Sequence, residues 1–177
     1  MALARTGPVA LRQGRTKLIL RAVLPLTIIS GGQTGADRAG LDWAIAHGVQ
    51  HGGWCPKGRR AEDGPIPPRY TLRETPTSAY IRRTEWNVRD SDGTVIFTLA
   101  AQLTAGPLRT LKFALRYRKP RLHLHLGLKD EAALALRKWL RHNRIRMLNV
   151  AGSRASKEPG IDAFVRRVLD EALGQAD

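Results

Sequence analysis

Cysteine is almost missing from this sequence. Cys55 is the only one in 177 residues, so an internal disulfide is excluded. No apolar run approaches the length of a membrane-crossing helix, which points to a soluble, cytoplasmic protein. Acidic residues are scarce, 15 against 30 Lys+Arg, and none precedes Asp37. Aromatic residues make up 6% of the chain, few for a surface that stacks bases. Two phosphate-binding signatures are also absent: neither the GxGxxG spacing of a dinucleotide site nor the GxxxxGKS/T of a P-loop can be found, so neither assignment is available.

What is present is positive charge. The net charge is +15, and arginine supplies 23 of the 30 cationic residues. That balance fits an anionic partner, nucleic acid included, and equally fits a solvated arginine-rich surface, because the cations are spread over every predicted helix. Residues 1–22 carry Arg5, Arg12, Arg15, Lys17 and Arg21 and no acid. They read as a basic, disordered extension ahead of one domain over 23–177; no serine precedes Ser30, which argues against an organellar presequence. A chain of this length buries a core without disulfide or metal staples.

From residue 23 onward, short β-branched or apolar runs alternate with helical patterns, the mark of a parallel sheet with crossover helices. Strands are expected at about 24–30, 49–54, 94–97, 121–126 and 147–150, and helices at about 37–47, 78–88, 108–117, 130–142 and 161–172. The expected fold is thus a Rossmann-like three-layer α/β/α sandwich with a mainly parallel sheet of about five or more strands. In the first helix Leu41 and Ile45 share a face at i, i+4. The strict alternation Arg121-Leu122-His123-Leu124-His125-Leu126 suits a strand near an edge. The last helix carries the clearest buried stripe: Ile161, Phe164, Val165, Val168, Leu169 and Ala172.

The most informative stretch is Ile28-Ile29-Ser30-Gly31-Gly32-Gln33-Thr34-Gly35-Ala36-Asp37-Arg38, a strand running into a glycine-rich turn and straight into a helix. Such a turn brings bare N–H groups and a helix dipole to bear on an anion, although an ordinary βα turn uses glycine in the same way. Ligands of open α/β sheets bind beyond the carboxyl ends of the strands. The loops 31–36, 55–60, 99–106 and 151–156 therefore converge on the candidate site, and together they suit a phosphorylated, nucleotide-like ligand.

Several segments in order resemble the molybdenum cofactor carrier family, a Rossmann-like group related to the lysine decarboxylase-like and "Lonely guy" phosphoribohydrolase proteins. They are the stretch above, Gly53-Trp54-Cys55-Pro56-Lys57-Gly58-Arg59, Ala61-Glu62-Asp63-Gly64, Arg83-Thr84-Glu85-Trp86-Asn87-Val88-Arg89-Asp90-Ser91-Asp92-Gly93-Thr94 and Leu148-Asn149-Val150-Ala151-Gly152-Ser153-Arg154. The resemblance implies a carrier of molybdenum cofactor, a phosphorylated pterin, with molybdoenzymes as recipients and a homo-oligomeric state. On that match Gly31, Gly32, Gln33, Thr34 and Gly35 would hold the phosphate, helped by Arg38, Lys57, Gly106, Thr110, Gly152, Ser153 and Arg154. Asp37 either caps its helix or bonds a ligand hydroxyl or pterin nitrogen. Where the family usually places a Gly-Gly-Thr turn, this chain reads Ala105-Gly106-Pro107-Leu108-Arg109-Thr110. Proline has no N–H to offer and alanine resists φ > 0, which weakens anion binding there.

Two other functions are consistent with the residues. One is a nucleotide phosphoribohydrolase-like enzyme with Glu85 or Asp37 as acid/base, although the relatives' Pro-Gly-Gly-x-Gly-Thr-x-x-Glu motif is absent. The other is nucleic-acid association through the basic surface. Cys55 reads as a small buried hydrophobe, Trp54 and Trp86 as packing residues, and His123 with His125 as too few ligands for a metal. Asp90-Ser91-Asp92 reads as turn and capping chemistry at the far end of the sheet.

Overall fold

The computed structural model describes residues 25–174, so the proposed basic extension over 1–22 lies outside the described residues. In chain order the elements are β1 (Thr27–Ile29), α1 (Ala36–Ala46), β2 (Gln50–Gly52), β3 (Trp54–Cys55), β4 (Arg60–Ala61), β5 (Gly64–Pro65), β6 (Arg73–Glu74) and α2 (Tyr80–Asp90). They continue with β7 (Gly93–Thr98), α3 (Ala105–Arg116), β8 (Arg121–His125), a 3-10 turn over Leu126–Leu128, α4 (Glu131–His142), β9 (Met147–Gly152) and α5 (Ile161–Leu173). Five strands form one wholly parallel sheet in the order β2-β1-β9-β7-β8, with β8 at an edge as its alternation predicts. Helices α1, α4 and α5 pack on one face and α2 and α3 on the other, the arrangement that right-handed crossovers require for this strand order. The expected Rossmann-like sandwich is the observed fold.

The main core lies between the sheet and the α1/α4/α5 layer. Ile28, Val95, Phe97, Leu124, Leu148 and Val150 meet the whole predicted stripe of α5, all six of whose residues are buried. The α1 face differs from the expected one. Leu41 is buried but Ile45 is exposed, and the inward face runs through Ala36, Ala39, Gly40, Trp43 and Ala44. Small residues are required there because a Cβ at Gly40 would come within 2.7 Å of Val150 Cγ1.

The expected strand over 49–54 is broken at Gly53, whose φ of 126° and close approach to the Ser30 backbone separate β2 from β3. The irregular segment 56–76 folds back as a strap with a small core of its own: Leu41, Cys55, Ile66 and Tyr70. Arg59 holds the strap together by donating to the carbonyls of Ile66, Pro67, Tyr70 and Leu72. At the amino end of the sheet Asp92 Oδ2 accepts from the amides of Arg146 and Met147, so it ties the turn before β7 to the start of β9.

Candidate functional site

Beyond the carboxyl ends of β1, β9 and β7 lies a cavity of about 460 Å³, within the range of small-ligand sites. Its walls come from the loop after β1 (Gly31, Gln33, Asp37), from α2 (Tyr80, Arg83, Thr84, Asn87) and from the first turns of α3 (Thr104, Ala105, Gly106, Pro107, Arg109, Thr110). The end of β9 and the loop after it complete them with Asn149, Gly152, Ser153, Arg154, Lys157 and Glu158. The strand order reverses between β9 and its flanking neighbours, so the cavity occupies the switch point where open α/β sheets bind ligands.

The cavity brings together Gly31, Gln33, Asp37, Gly106, Thr110, Gly152, Ser153 and Arg154 from the sequence-based set. Gly32, Thr34, Gly35, Arg38 and Lys57 are not in its walls. Arg38 turns away to pair with Asp63 at 2.5 and 2.8 Å and to cover the Gly32 carbonyl, and Lys57 is exposed on the turn after β3. Gly35, at φ 81°, lies close against the backbone of Ser153 and Ala155, so it joins the β1 loop to the β9 loop. Glu85 is not in the walls either; it accepts from Tyr117 Oη at 2.9 Å.

Sequence reasoning assigned no role to Arg83, Tyr80, Asn87, Asn149, Arg109, Lys157 or Glu158. Arg83 is the most consequential of them, since it is buried and forms an ion pair with Asp37 across 46 residues of sequence. A Cβ at Gly31 would overlap the Arg83 guanidinium, so glycine at 31 is what admits that group. The i, i+4 spacing of Arg83 and Asn87 in an otherwise polar helix was the available signal. Asn87 takes the place of a strand neighbour for Trp54, accepting from its N–H at 2.8 Å and donating to its carbonyl at 2.9 Å.

Two amides of the loop 31–35 and the first amide of α1 are engaged, while those of Gly31, Gly32 and Gly35 have no partner among the described residues. Gln33 N donates to Asp37 Oδ2, Thr34 N to the Gln33 side-chain carbonyl at 3.0 Å, and Ala36 N to the Ser153 carbonyl at 3.1 Å. Glu62, from the strap, closes the outside of this loop by accepting from Thr34, from Ser156 Oγ at 2.6 Å and from Ser156 N. Burial opposes ionisation of Glu62, but the hydrogen bonds from Ser156 and Thr34 and the charge of Arg154 outweigh it and hold the carboxyl below its usual pKa. At the other side of the cavity, α3 starts without an acid in its first turn. Pro107 has no N–H and Leu108 N is engaged by the Thr104 carbonyl, which leaves the amides of Ala105 and Gly106 without partners among the described residues. Ala105 itself sits at φ 44°, the conformation glycine would adopt without strain.

Four cationic side chains line the cavity against two carboxylates. Both carboxylates are engaged, Asp37 by Arg83 and Glu158 by the amides of Leu99 and Ala100. Arg109 and Lys157 have no ion-pair partner among the described residues, while Arg154 lies over the Tyr80 ring and 3.9 Å from Glu62.

The other singled-out residues lie elsewhere. Cys55 is fully buried in the strap core, and burial pushes its thiol up, so no thiolate is presented. Trp54 and Trp86 pack edge to face at 4.7 Å, under Arg73 and Arg89. His123 and His125 stand on β8, and no group of three or more metal-ligating side chains occurs among the described residues.

Comparison with known proteins agrees with this topology. Residues 28–173 match the model of the circularly permutated YpsA SLOG family. The crystal structure, at 1.45 Å, of a protein from Syntrophus aciditrophicus SB named "Putative molybdenum carrier protein" is similar at 47% identity and a TM-score of 0.82, covering 84% of this chain and 96% of that one. No curated protein matches the chain. The permutation can be read from the sheet itself. Numbering only the five sheet strands, the order is 2-1-5-3-4, and counting the last strand first turns this into 3-2-1-4-5, the Rossmann order. The chain belongs to the circularly permutated YpsA SLOG family.

Proposed function

We propose that this protein binds and carries molybdenum cofactor, or a closely related phosphorylated pterin or nucleotide-like ligand, in the cavity at the carboxyl edge of its sheet, and passes it on unchanged to a molybdenum enzyme. The observation that carries this reading is the charge of the cavity: Arg109 and Lys157 have no ion-pair partner among the described residues, and both carboxylates are already engaged by protein donors. An anionic ligand supplies the missing counter-charge. The similarity to a protein named as a molybdenum carrier supports the cofactor as cargo.

The phosphate belongs at the α3 side of the cavity, which the amides of Ala105 and Gly106 and the charged residues Arg109 and Lys157 line. The departure of this chain from a Gly-Gly-Thr turn removes the Pro107 donor but keeps those two amides. The hydrolytic alternative finds no support in the placement of its acids. Glu85 is outside the cavity walls, and Asp37 is neutralised by Arg83.

The test is to purify the full chain under anaerobic conditions and identify copurifying small molecules by mass spectrometry, alongside an Arg109→Ala/Lys157→Ala double variant. A phosphorylated pterin on the parent protein, reduced at least tenfold on the double variant, is the expected result. A parent protein carrying no phosphorylated heterocycle from a host that makes molybdenum cofactor contradicts it.

A further inference from the structure

Among the described residues, two buried side-chain polar atoms have no hydrogen-bond partner, Gln33 Nε2 and Arg83 Nε, and both residues line the cavity. Gln33 is 3% exposed. Its amide orientation is fixed, because Oε1 accepts from two N–H donors, Thr34 N at 3.0 Å and Glu62 N at 2.9 Å, which leaves the NH₂ side as the unpaired one. Leaving a buried donor unsatisfied is costly, and two such donors on residues of one cavity point to an acceptor supplied by a ligand.

Asp37 completes the pattern. Its Oδ2 accepts from Gln33 N and from Arg83, while Oδ1 accepts no hydrogen bond from the described residues. Two unused donors, Gln33 Nε2 and Arg83 Nε, and one unused carboxylate oxygen, Asp37 Oδ1, thus belong to three residues that line the same cavity. A phosphate beside them would face the carboxylates of Asp37 and Glu62, and two of the loop amides, Gln33 N and Thr34 N, are already engaged.

We propose that these groups read the lactam edge of a guanine- or pterin-type ring. The two donors go to the lone pairs of the ring carbonyl, and Asp37 Oδ1 accepts from the adjacent ring N–H. This rests on the reading of the cavity as a site for a phosphorylated heterocycle, and it sets the ligand's direction: ring towards Gln33 and Asp37, phosphate towards Lys157 and α3. On this proposal the phosphate sits at α3 and not at the glycine loop, where the sequence-based expectation puts it. An adenine ring has no carbonyl and places an amine where the donors stand, so two donors would face a donor and Asp37 would face an unprotonated ring nitrogen.

The test is calorimetric titration of the full chain with GMP, IMP, AMP and inorganic pyrophosphate. GMP and IMP, which share the lactam, should bind at least about tenfold more tightly than AMP, as a site built around buried polar groups requires. Gln33→Glu retains an acceptor for Thr34 N and Glu62 N but turns the free donor into an acceptor; it should remove the preference and leave pyrophosphate binding within about twofold. If the parent chain binds pyrophosphate yet holds GMP and AMP within threefold, or if a folded Gln33→Glu keeps the preference, this inference is overturned and the phosphate site stands. If none of the four probes binds, the cavity is not a site for phosphorylated ligands, and both readings fall together.

Discussion

Gly31 and Gly106 show how differently two glycines of one site are constrained. At Gly31 any Cβ overlaps the Arg83 guanidinium, which is held against the backbone by its ion pair with Asp37. At Gly106 a Cβ would meet nothing within 4 Å, and its φ is not in the left-handed region. Gly31→Ala should therefore displace Arg83 and leave Asp37 as an uncompensated buried charge, a loss of about 3 kcal/mol in urea denaturation, with ligand retention lost as well. Gly106→Ala, in the first turn of α3, should change stability by no more than about 1 kcal/mol, in the stabilising direction. Equal effects of the two substitutions would mean that Arg83 is not held where the structure puts it.

At the scale of the elements, β8 carries a titratable group into a partly buried place. His123 Nε2 lies 2.7 Å from Thr98 Oγ1, and burial first, then the neighbouring His125, lowers its pKa below the ordinary value. The unfolded chain, at about 6.5, takes up a proton before the folded one does. Stability from this group is thus complete above about pH 6.5 and is lost as the pH falls from there through the lowered folded pKa. Thermal unfolding followed from pH 8 to pH 5 should show this acid-side loss, and His123→Gln should flatten it in that window. A variant whose profile parallels the parent's would assign the loss to other groups.

Which elements could be read from the sequence follows from how local their signals are. The stripe of α5 and the β-branched run of β7 identify themselves by periodicity, and the structure keeps them with small shifts of boundary. The break at Gly53 and the small inward face of α1 could not be read, because both are set by close approach of distant backbone and side chains, Ser30 in one case and Val150 in the other. The site divides in the same way. The loop after β1 was visible as a glycine cluster, but the spending of its amides on Asp37, Gln33 and Ser153 is a matter of side-chain direction and long-range contact. Arg83 escaped notice because its partner is 46 residues away and its helix reads as polar throughout.

For the whole molecule, the permuted strand order explains where the candidate site lies. With the first Rossmann strand moved to the end of the chain, β9 is the central strand, so the loop after Gly152 leaves the middle of the sheet with the glycine loop after β1 beside it. The strap over 56–76 then fastens the two loops together, through Glu62 to Thr34 on one side and to Ser156 on the other. The net charge of +15 raises the encounter rate with any anionic ligand, and on the proposed function the choice among such ligands falls to the few groups inside the cavity. The most direct measurement is a crystal structure of the protein grown anaerobically with its copurified ligand. The account predicts ligand density in the cavity, with a phosphate against the first turn of α3 and Lys157 and a ring against Gln33 and Asp37. Ligand density on any other surface, with this cavity empty, would contradict it.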